Sequence, residues 1–227
     1  MIPRPERPIA VALDVSDLAA ADALAALLAP EVGLLKVGLE LAWAAGPEAV
    51  RTVGRHGPVF LDAKLHDIPT TVEHASANVA RLGIAMCTVH ALGGAAMMRA
   101  ARDGAARGAA EAGVDPPLVV AVTVLSSHAG EELASPASLA WEAKEAGLDG
   151  VVVSGEDVRD VRDVCGEGFC LVVPGIRPAG GNGHDQVRVL TPEAAIERGA
   201  DYLVIGRPIT DAADPLAATR AIRAAIG

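Results

Sequence analysis

Aromatic side chains are nearly missing from this 227-residue chain, which has two Trp, two Phe and one Tyr. A single-strand nucleic-acid binder stacks bases on such rings, and Trp43, Phe60, Trp141, Phe169 and Tyr202 are too few for that. Surplus positive charge is lacking as well. The net charge is −10, from 19 Lys and Arg against 29 Asp and Glu. No basic stripe for a phosphate backbone is to be expected, so nucleic acid is excluded as a partner. A small phosphorylated ligand is not excluded, because two or three well-placed cations suffice to hold it. Cysteine is scarce: Cys87, Cys165 and Cys170 form no C-x-x-C and cannot all pair within one chain, as in a reducing compartment. Cys87 lies in an apolar run and reads as a buried thiol.

Long hydrophobic runs are also missing, although the mean hydropathy is +0.35. The longest uncharged stretch, Leu82 to Met98, contains His90 and the Gly93-Gly94 pair. It falls short of the roughly 20 apolar residues of a spanning helix. Near the N-terminus, Arg4 and Arg7 precede an apolar run that ends at Asp14, shorter than the about 7–15 residues of a signal core. A cytoplasmic location with no membrane contact is expected. There is no P-loop and no Gly-x-Ser-x-Gly elbow.

What the chain does contain is a folding composition, 51% hydrophobic and 21% charged. Eight short apolar runs recur: Ile9–Leu13, Gly33–Gly38, Pro58–Leu61, Ile84–Val89, Leu118–Leu125, Gly150–Val153, Phe169–Val173 and Tyr202–Ile205. They are continuous and rich in Val, Ile and Leu, as buried parallel strands are. Ala-rich helical segments alternate with them. Ser16-Asp17 opens the first, and Pro30 closes it. Thr70–Leu82, Ala95–Ala112 and Ser138–Ala146 each run into a glycine. Thr191-Pro192 starts another that ends at Gly199, and Pro215–Ile226 closes the chain. Eight such units predict the α/β class and a (β/α)8 TIM barrel, which typically takes about 250 residues. Residues 1–227 are expected to form a single barrel domain. An open doubly wound sheet is the competing fold. Its dinucleotide fingerprint is not found, because the first run leads into Asp14-Val15-Ser16-Asp17.

In a barrel, polar groups at the C-terminal strand ends are the candidates for chemistry. Asp14 follows the first run, Lys36 lies inside the second, and Asp62 and Lys64 follow the third. His90 follows the fourth and Ser126-Ser127 the fifth. Gly175-Ile176-Arg177 follows the seventh, and Gly206-Arg207 the eighth. Residues i and i+2 of a strand share a face, so Asp62 and Lys64 are expected side by side. Burying one charge unpaired costs several kcal/mol. Lys36 adds a cation from the neighbouring strand and Asp67 an anion just beyond, enough for an alternating, neutral network. An ion-pair cluster that merely ties strands together is the other reading of the same spacing. The two late Gly–Arg turns fall where barrels often bind phosphate, glycine admitting the anion to backbone N–H groups and arginine gripping it with two N–H bonds. Gln186, beyond the Gly-rich stretch from Pro178 to Gly183, would reach over a ligand, and that stretch reads as a mobile loop. His56, His74, His128 and His184 lack metal-ligand spacing, so no metal site is expected.

Asp62-Ala63-Lys64-Leu65-His66-Asp67-Ile68-Pro69 resembles the D-x-K-x-x-D-I-P signature of the orotidine 5′-phosphate decarboxylase family. Further segments match in order: Ala12-Leu13-Asp14, Leu35-Lys36-Val37-Gly38, Thr88-Val89-His90-Ala91, Val122 to Ser127, Pro174-Gly175-Ile176-Arg177-Pro178, Asp185-Gln186 and Val204 to Ile209. Together they run from about Ile9 to Thr210 and are similar to the short bacterial form. The resemblance implies a homodimeric barrel that converts orotidine 5′-monophosphate to uridine 5′-monophosphate and CO₂ without metal or organic cofactor. It implies Lys64 as proton donor to the ring carbon and Asp62 against the departing carboxylate. Lys36 and Asp14 would hold the ribose. Asp67, Ile68 and Thr71 would be lent to the partner's site. Ser126 would contact the pyrimidine, with Ser127 as the alternative. Arg177, Gly206 and Arg207 would bind phosphate, Pro174 would contact the substrate, and Gln186 would bridge phosphate and base. The family often has Thr where Ser126 stands, which keeps the hydroxyl. Two other readings remain: a sugar-phosphate decarboxylase or aldolase of the same barrel superfamily, which needs a metal ion, and a non-catalytic phosphate-binding barrel.

Overall fold

A computed structural model describes residues 5–124, 134–178 and 190–227. Eight strands, β1 (Ile9–Ala12), β2 (Leu34–Val37), β3 (Val59–Leu65), β4 (Met86–His90), β5 (Leu118–Val122), β6 (Gly150–Val152), β7 (Cys170–Val173) and β8 (Tyr202–Ile205), pair in parallel in sequence order. β8 returns to β1 and closes the barrel. Every apolar run of the sequence holds a strand. The fifth is shorter than expected, ending at Val122, with Leu125 outside the described residues.

The helices are α1 (Leu18–Leu28), α2 (Leu39–Ala45), α3 (Pro47–Gly54), α4 (Pro69–Ala80), α5 (Gly94–Ala112), α6 (Pro136–Glu145), α7 (Val158–Cys165), α8 (Pro192–Glu197), α9 (Arg207–Thr210) and α10 (Pro215–Ile226). Their starts follow local chemistry. The side chains of Asp17, Ser135, Thr191 and Asp214 accept the N–H three residues on, at Ala20, Ser138, Ala194 and Ala217. This satisfies an amide that the helix itself leaves without a partner. Four helices, α2, α3, α7 and α9, were not legible as such in the sequence. They are short, of four to eight residues, and give few turns over which an apolar stripe can repeat. None of the helices formed by the described residues is long and apolar enough to cross a membrane.

Strand alternation sorts the buried side chains into two layers. Ala10, Leu34, Phe60, Met86, Val120, Cys170 and Val172 fill the barrel interior. Ile9, Val11, Leu35, Leu61, Cys87, Val89 and Leu171 face outward into the larger cluster shared with the helices. The inward parity carries a consequence for the site. Two residues beyond Leu34, Phe60 and Met86, on the same faces, stand Lys36, Asp62 and Thr88. The interior changes from apolar to polar in one layer at the C-terminal end. At the opposite end, Arg162 of α7 donates to the carbonyls of Gly166, Phe169 and Gly199 and to the Asp201 carboxylate, closing the floor.

Candidate active site

Four charges form an unbroken chain across the C-terminal ends of β1, β2 and β3. Lys36 is buried, 7% exposed. Its ammonium donates to Asp14 Oδ1 at 3.1 Å and lies 3.7 Å from Asp62 Oδ2. The same Asp62 oxygen accepts from Lys64 Nζ at 2.6 Å. Signs alternate from Asp14 through Lys36 and Asp62 to Lys64, so each inner charge has an opposite neighbour and the desolvation of Lys36 is offset. Gly38 leaves room for the first link, since a Cβ there would stand 2.9 Å from both Asp14 Oδ1 and Lys36 Nζ. Access to solvent rises along the outer members. The side chain of Asp62 is 15% exposed, that of Lys64 28% and that of Asp14 52%.

Asp62 and Lys64 meet as expected, though not through regular strand alternation. Leu61 pairs with Cys87 and Leu65 with Val89, so three residues of β3 oppose Thr88 alone on β4. A bulge of this kind bends the strand and re-aims a side chain. Lys64 pays for it with φ of 50°, the one non-glycine among the described residues in the left-handed region. Such a backbone costs of order 1–3 kcal/mol and persists only where the surroundings enforce it. Thr88 is fully buried. Its Oγ1 accepts the Lys64 backbone N–H at 2.8 Å and donates to Asp62 Oδ1 at 2.9 Å. In the sequence Thr88 enters only through the family-like segment Thr88-Val89-His90-Ala91, with no role of its own, because it sits inside an apolar run. The available signal was its inward parity beside Lys36 and Asp62.

Asp67 does not join this network within its own chain. It is exposed, its Oδ1 accepts the neighbouring Ile68 N–H at 2.7 Å, and it makes no ion pair with Lys36 or Lys64. Asp14 supplies the second anion instead. Ile68, 67% exposed, and Thr71 lie on the same outer surface at the start of α4. His90, at the end of β4, is half-buried with its ring centroid 5.3 Å from that of His66. Burial first, then the positive potential of His66 and Lys64, holds its imidazole below the usual histidine range, and Asp62 opposes the shift.

Four of the remaining expected residues stand at the anticipated strand ends. Pro174 and Arg177 follow β7, with Arg177 half-buried, and Gly206 precedes the exposed Arg207 at the start of α9. Ser126, Ser127 and Gln186 lie outside the described residues, as does the stretch 179–185. Among the described residues no three His, Cys, Asp or Glu side chains gather as metal ligands.

Known proteins resemble this chain over nearly its whole length. The profile of the "Orotidine 5'-phosphate decarboxylase / HUMPS family" matches residues 7–222. The orotidine 5'-phosphate decarboxylase of Moorella thermoacetica is 50% identical over 96% of this chain and 91% of its own length. That of Anaeromyxobacter dehalogenans is 50% identical over 98% and 100%. The crystal structure of orotidine 5'-phosphate decarboxylase from Lactobacillus acidophilus superposes with a TM-score of 0.84 at 38% identity, covering 98% of this chain and all of the other. With a closed eight-stranded barrel, the charged chain at its mouth and full-length similarity of this degree, the protein belongs to the orotidine 5′-phosphate decarboxylase family.

Proposed function

We propose that this chain decarboxylates orotidine 5′-monophosphate to uridine 5′-monophosphate and CO₂, a step of pyrimidine biosynthesis. The observation that carries the reading is the Asp14–Lys36–Asp62–Lys64 chain, built at the catalytic end of a barrel of this family.

The chemistry explains what such a chain is for. Loss of CO₂ leaves a vinylic carbanion that the pyrimidine ring delocalises poorly. Lys64 presents an ammonium to that carbon, stabilises the charge as it develops, and then delivers a proton, which it regains from solvent. Asp62 holds the ammonium and lies against the departing carboxylate. Two such carboxylates about 4 Å apart repel by around 4 kcal/mol at an effective dielectric near 20. Enzymes remove roughly 8–23 kcal/mol from a barrier, so repulsion alone is insufficient and stabilisation by Lys64 carries more of the rate. Asp14 and Lys36 hold the ribose hydroxyls. Arg177, Gly206 and Arg207 hold the phosphate, whose binding energy is released far from the reacting carbon, and Pro174 contacts the substrate. Ser126 contacts the base, and Gln186 bridges phosphate and base.

The working unit in this reading is a cytoplasmic homodimer in which Asp67, Ile68 and Thr71 complete the partner's site. Their exposed position and the separation of Asp67 from its own lysines support it. The activity needs neither metal nor organic cofactor. A spectrophotometric assay with orotidine monophosphate, run with and without a chelator, tests the proposal. Turnover that survives the chelator is the expected result. Activity confined to a sugar phosphate and lost with metal would assign the chain to the other branch of its family, and no turnover of either would leave a phosphate-binding barrel.

A further inference from the structure

We infer that Thr88 is a positioning residue for the reaction: its hydroxyl holds the Lys64 backbone and the Asp62 carboxylate in the one geometry that aims the lysine. The kinetic half of this inference rests on the decarboxylase reading above; the structural half does not.

The bulge in β3 creates the need. On entering β3 the peptides alternate, the Pro58 carbonyl accepting from Leu35 of β2 and the Val59 carbonyl from Ala85 just before β4, so unbroken alternation would aim the Lys64 N–H towards β2. Here Asp62, Ala63 and Lys64 oppose Thr88 alone, and the ladder is interrupted between Leu61 and Leu65. A buried amide without an acceptor is costly. The bulge turns the Lys64 N–H towards β4 instead, where the Thr88 hydroxyl accepts it at 2.8 Å. A hydroxyl also has a proton of its own to give, and that proton goes to Asp62 Oδ1 at 2.9 Å.

The second bond divides the Asp62 carboxylate into two assignments. Oδ1 is held by Thr88, and Oδ2 is left to Lys64 at 2.6 Å and Lys36 at 3.7 Å. Without the Thr88 bond the carboxylate is free to turn about its last torsion, which is broad for aspartate. Turning it moves the anchor of the Lys64 ammonium. The accepting oxygen also ties down the Lys64 amide, whose backbone stands at φ 50°. One buried side chain thus fixes the lysine at both ends, backbone and ammonium. Valine has the same shape and neither bond. β-branching also restricts χ1 of threonine, which keeps the hydroxyl aimed at both partners.

The test compares Thr88→Val and Thr88→Ser with wild type by two readouts, amide hydrogen exchange at Lys64 and steady-state kinetics with uridine monophosphate binding. In the valine variant the Lys64 amide is expected to exchange at least about tenfold faster, and kcat to fall by about 10- to 100-fold with nucleotide affinity and KM within about threefold. Serine keeps the oxygen and is expected to hold kcat within about fivefold of wild type. If the valine chain does not fold, Thr88→Ser and Thr88→Ala, which differ by one oxygen, are compared in its place, with kcat of the serine chain at least about tenfold higher. Wild-type kcat in the valine variant, unchanged Lys64 protection, or equal losses in the serine and valine variants would each overturn the inference. A wild-type chain inert towards orotidine monophosphate would instead defeat the decarboxylase reading, and the exchange data would still decide whether Thr88 holds Lys64.

Discussion

Lys64 holds its ammonium 2.6 Å from Asp62 Oδ2 while its own backbone stands at φ 50°, so the shortest ion pair of the site is built on a left-handed residue. The two facts belong together. Regular strand geometry would put the residues two positions apart and parallel. The bulge opposite Thr88 instead turns Lys64 towards Asp62. Strain of order 1–3 kcal/mol is stored at that position, and the charge pair and the Thr88 bonds retain it.

Stored strain at residue 64 has a measurable sign. In an ordinary strand glycine is less stable than alanine by roughly 0.5–1 kcal/mol, whereas a left-handed backbone penalises alanine by about 1–2 kcal/mol. Lys64→Gly should therefore unfold in urea with about 0.5–1 kcal/mol more stability than Lys64→Ala. An alanine chain that proves the more stable would mean that the backbone at 64 is regular.

His90 gives the site a pH dependence of stability. Burial and the nearby His66 and Lys64 lower its folded-state pKa, with Asp62 opposing. The unfolded chain, near 6.5, then takes up the proton first. The stability His90 contributes is fully present above that value and is lost as pH falls from it through the folded-state pKa. Melting temperatures recorded between about pH 7.5 and 5 should fall towards acid, and His90→Gln should flatten the slope. An unchanged slope in the variant would place the titration elsewhere.

Much of this architecture was legible in the sequence because buried parallel strands are continuous apolar runs, and all eight, from Ile9 to Ile205, stand out from Ala-rich helices. The (β/α)8 barrel followed from their number. The charged site was legible for the opposite reason: Lys36, Asp62 and Lys64 stand in runs where a charge is expensive. The bulge was not legible, since Ala63 and Leu65 alternate with Asp62 and Lys64 as in a regular strand and a shift of register is a property of two strands together. Thr88 stands in a family-like segment, but its own role was not legible because a lone threonine suits any strand. Its meaning depends on facing inward beside Asp62. Asp67 was grouped with the lysines by spacing along the chain, but the turn into α4 carries it to the outer surface.

Arg207 is expected to act on binding rather than on the chemical step. It is exposed at the start of α9, beside Gly206. Hydrogen bonds to charged groups contribute about 1.5–3 kcal/mol, so Arg207→Ala should weaken uridine monophosphate binding by roughly 10- to 100-fold. Calorimetry that finds the affinity unchanged would remove Arg207 from the phosphate site.

Asp67 is expected to work across a subunit boundary. Lys64→Ala and Asp67→Ala homodimers should each be inactive. Mixed dimers would carry one site with both residues intact, and refolding an equal mixture should recover about a quarter of wild-type turnover. Verified mixed dimers without activity would reject the shared site.

The central claim is that the Lys64 ammonium drives decarboxylation, and turnover of orotidine monophosphate by Lys64→Ala tests it most directly. Uridine monophosphate binding, measured alongside, verifies that the pocket is intact. The expected result is a folded protein that binds the nucleotide and whose kcat is lower by at least about 1,000-fold. A kcat within about tenfold of wild type would contradict it.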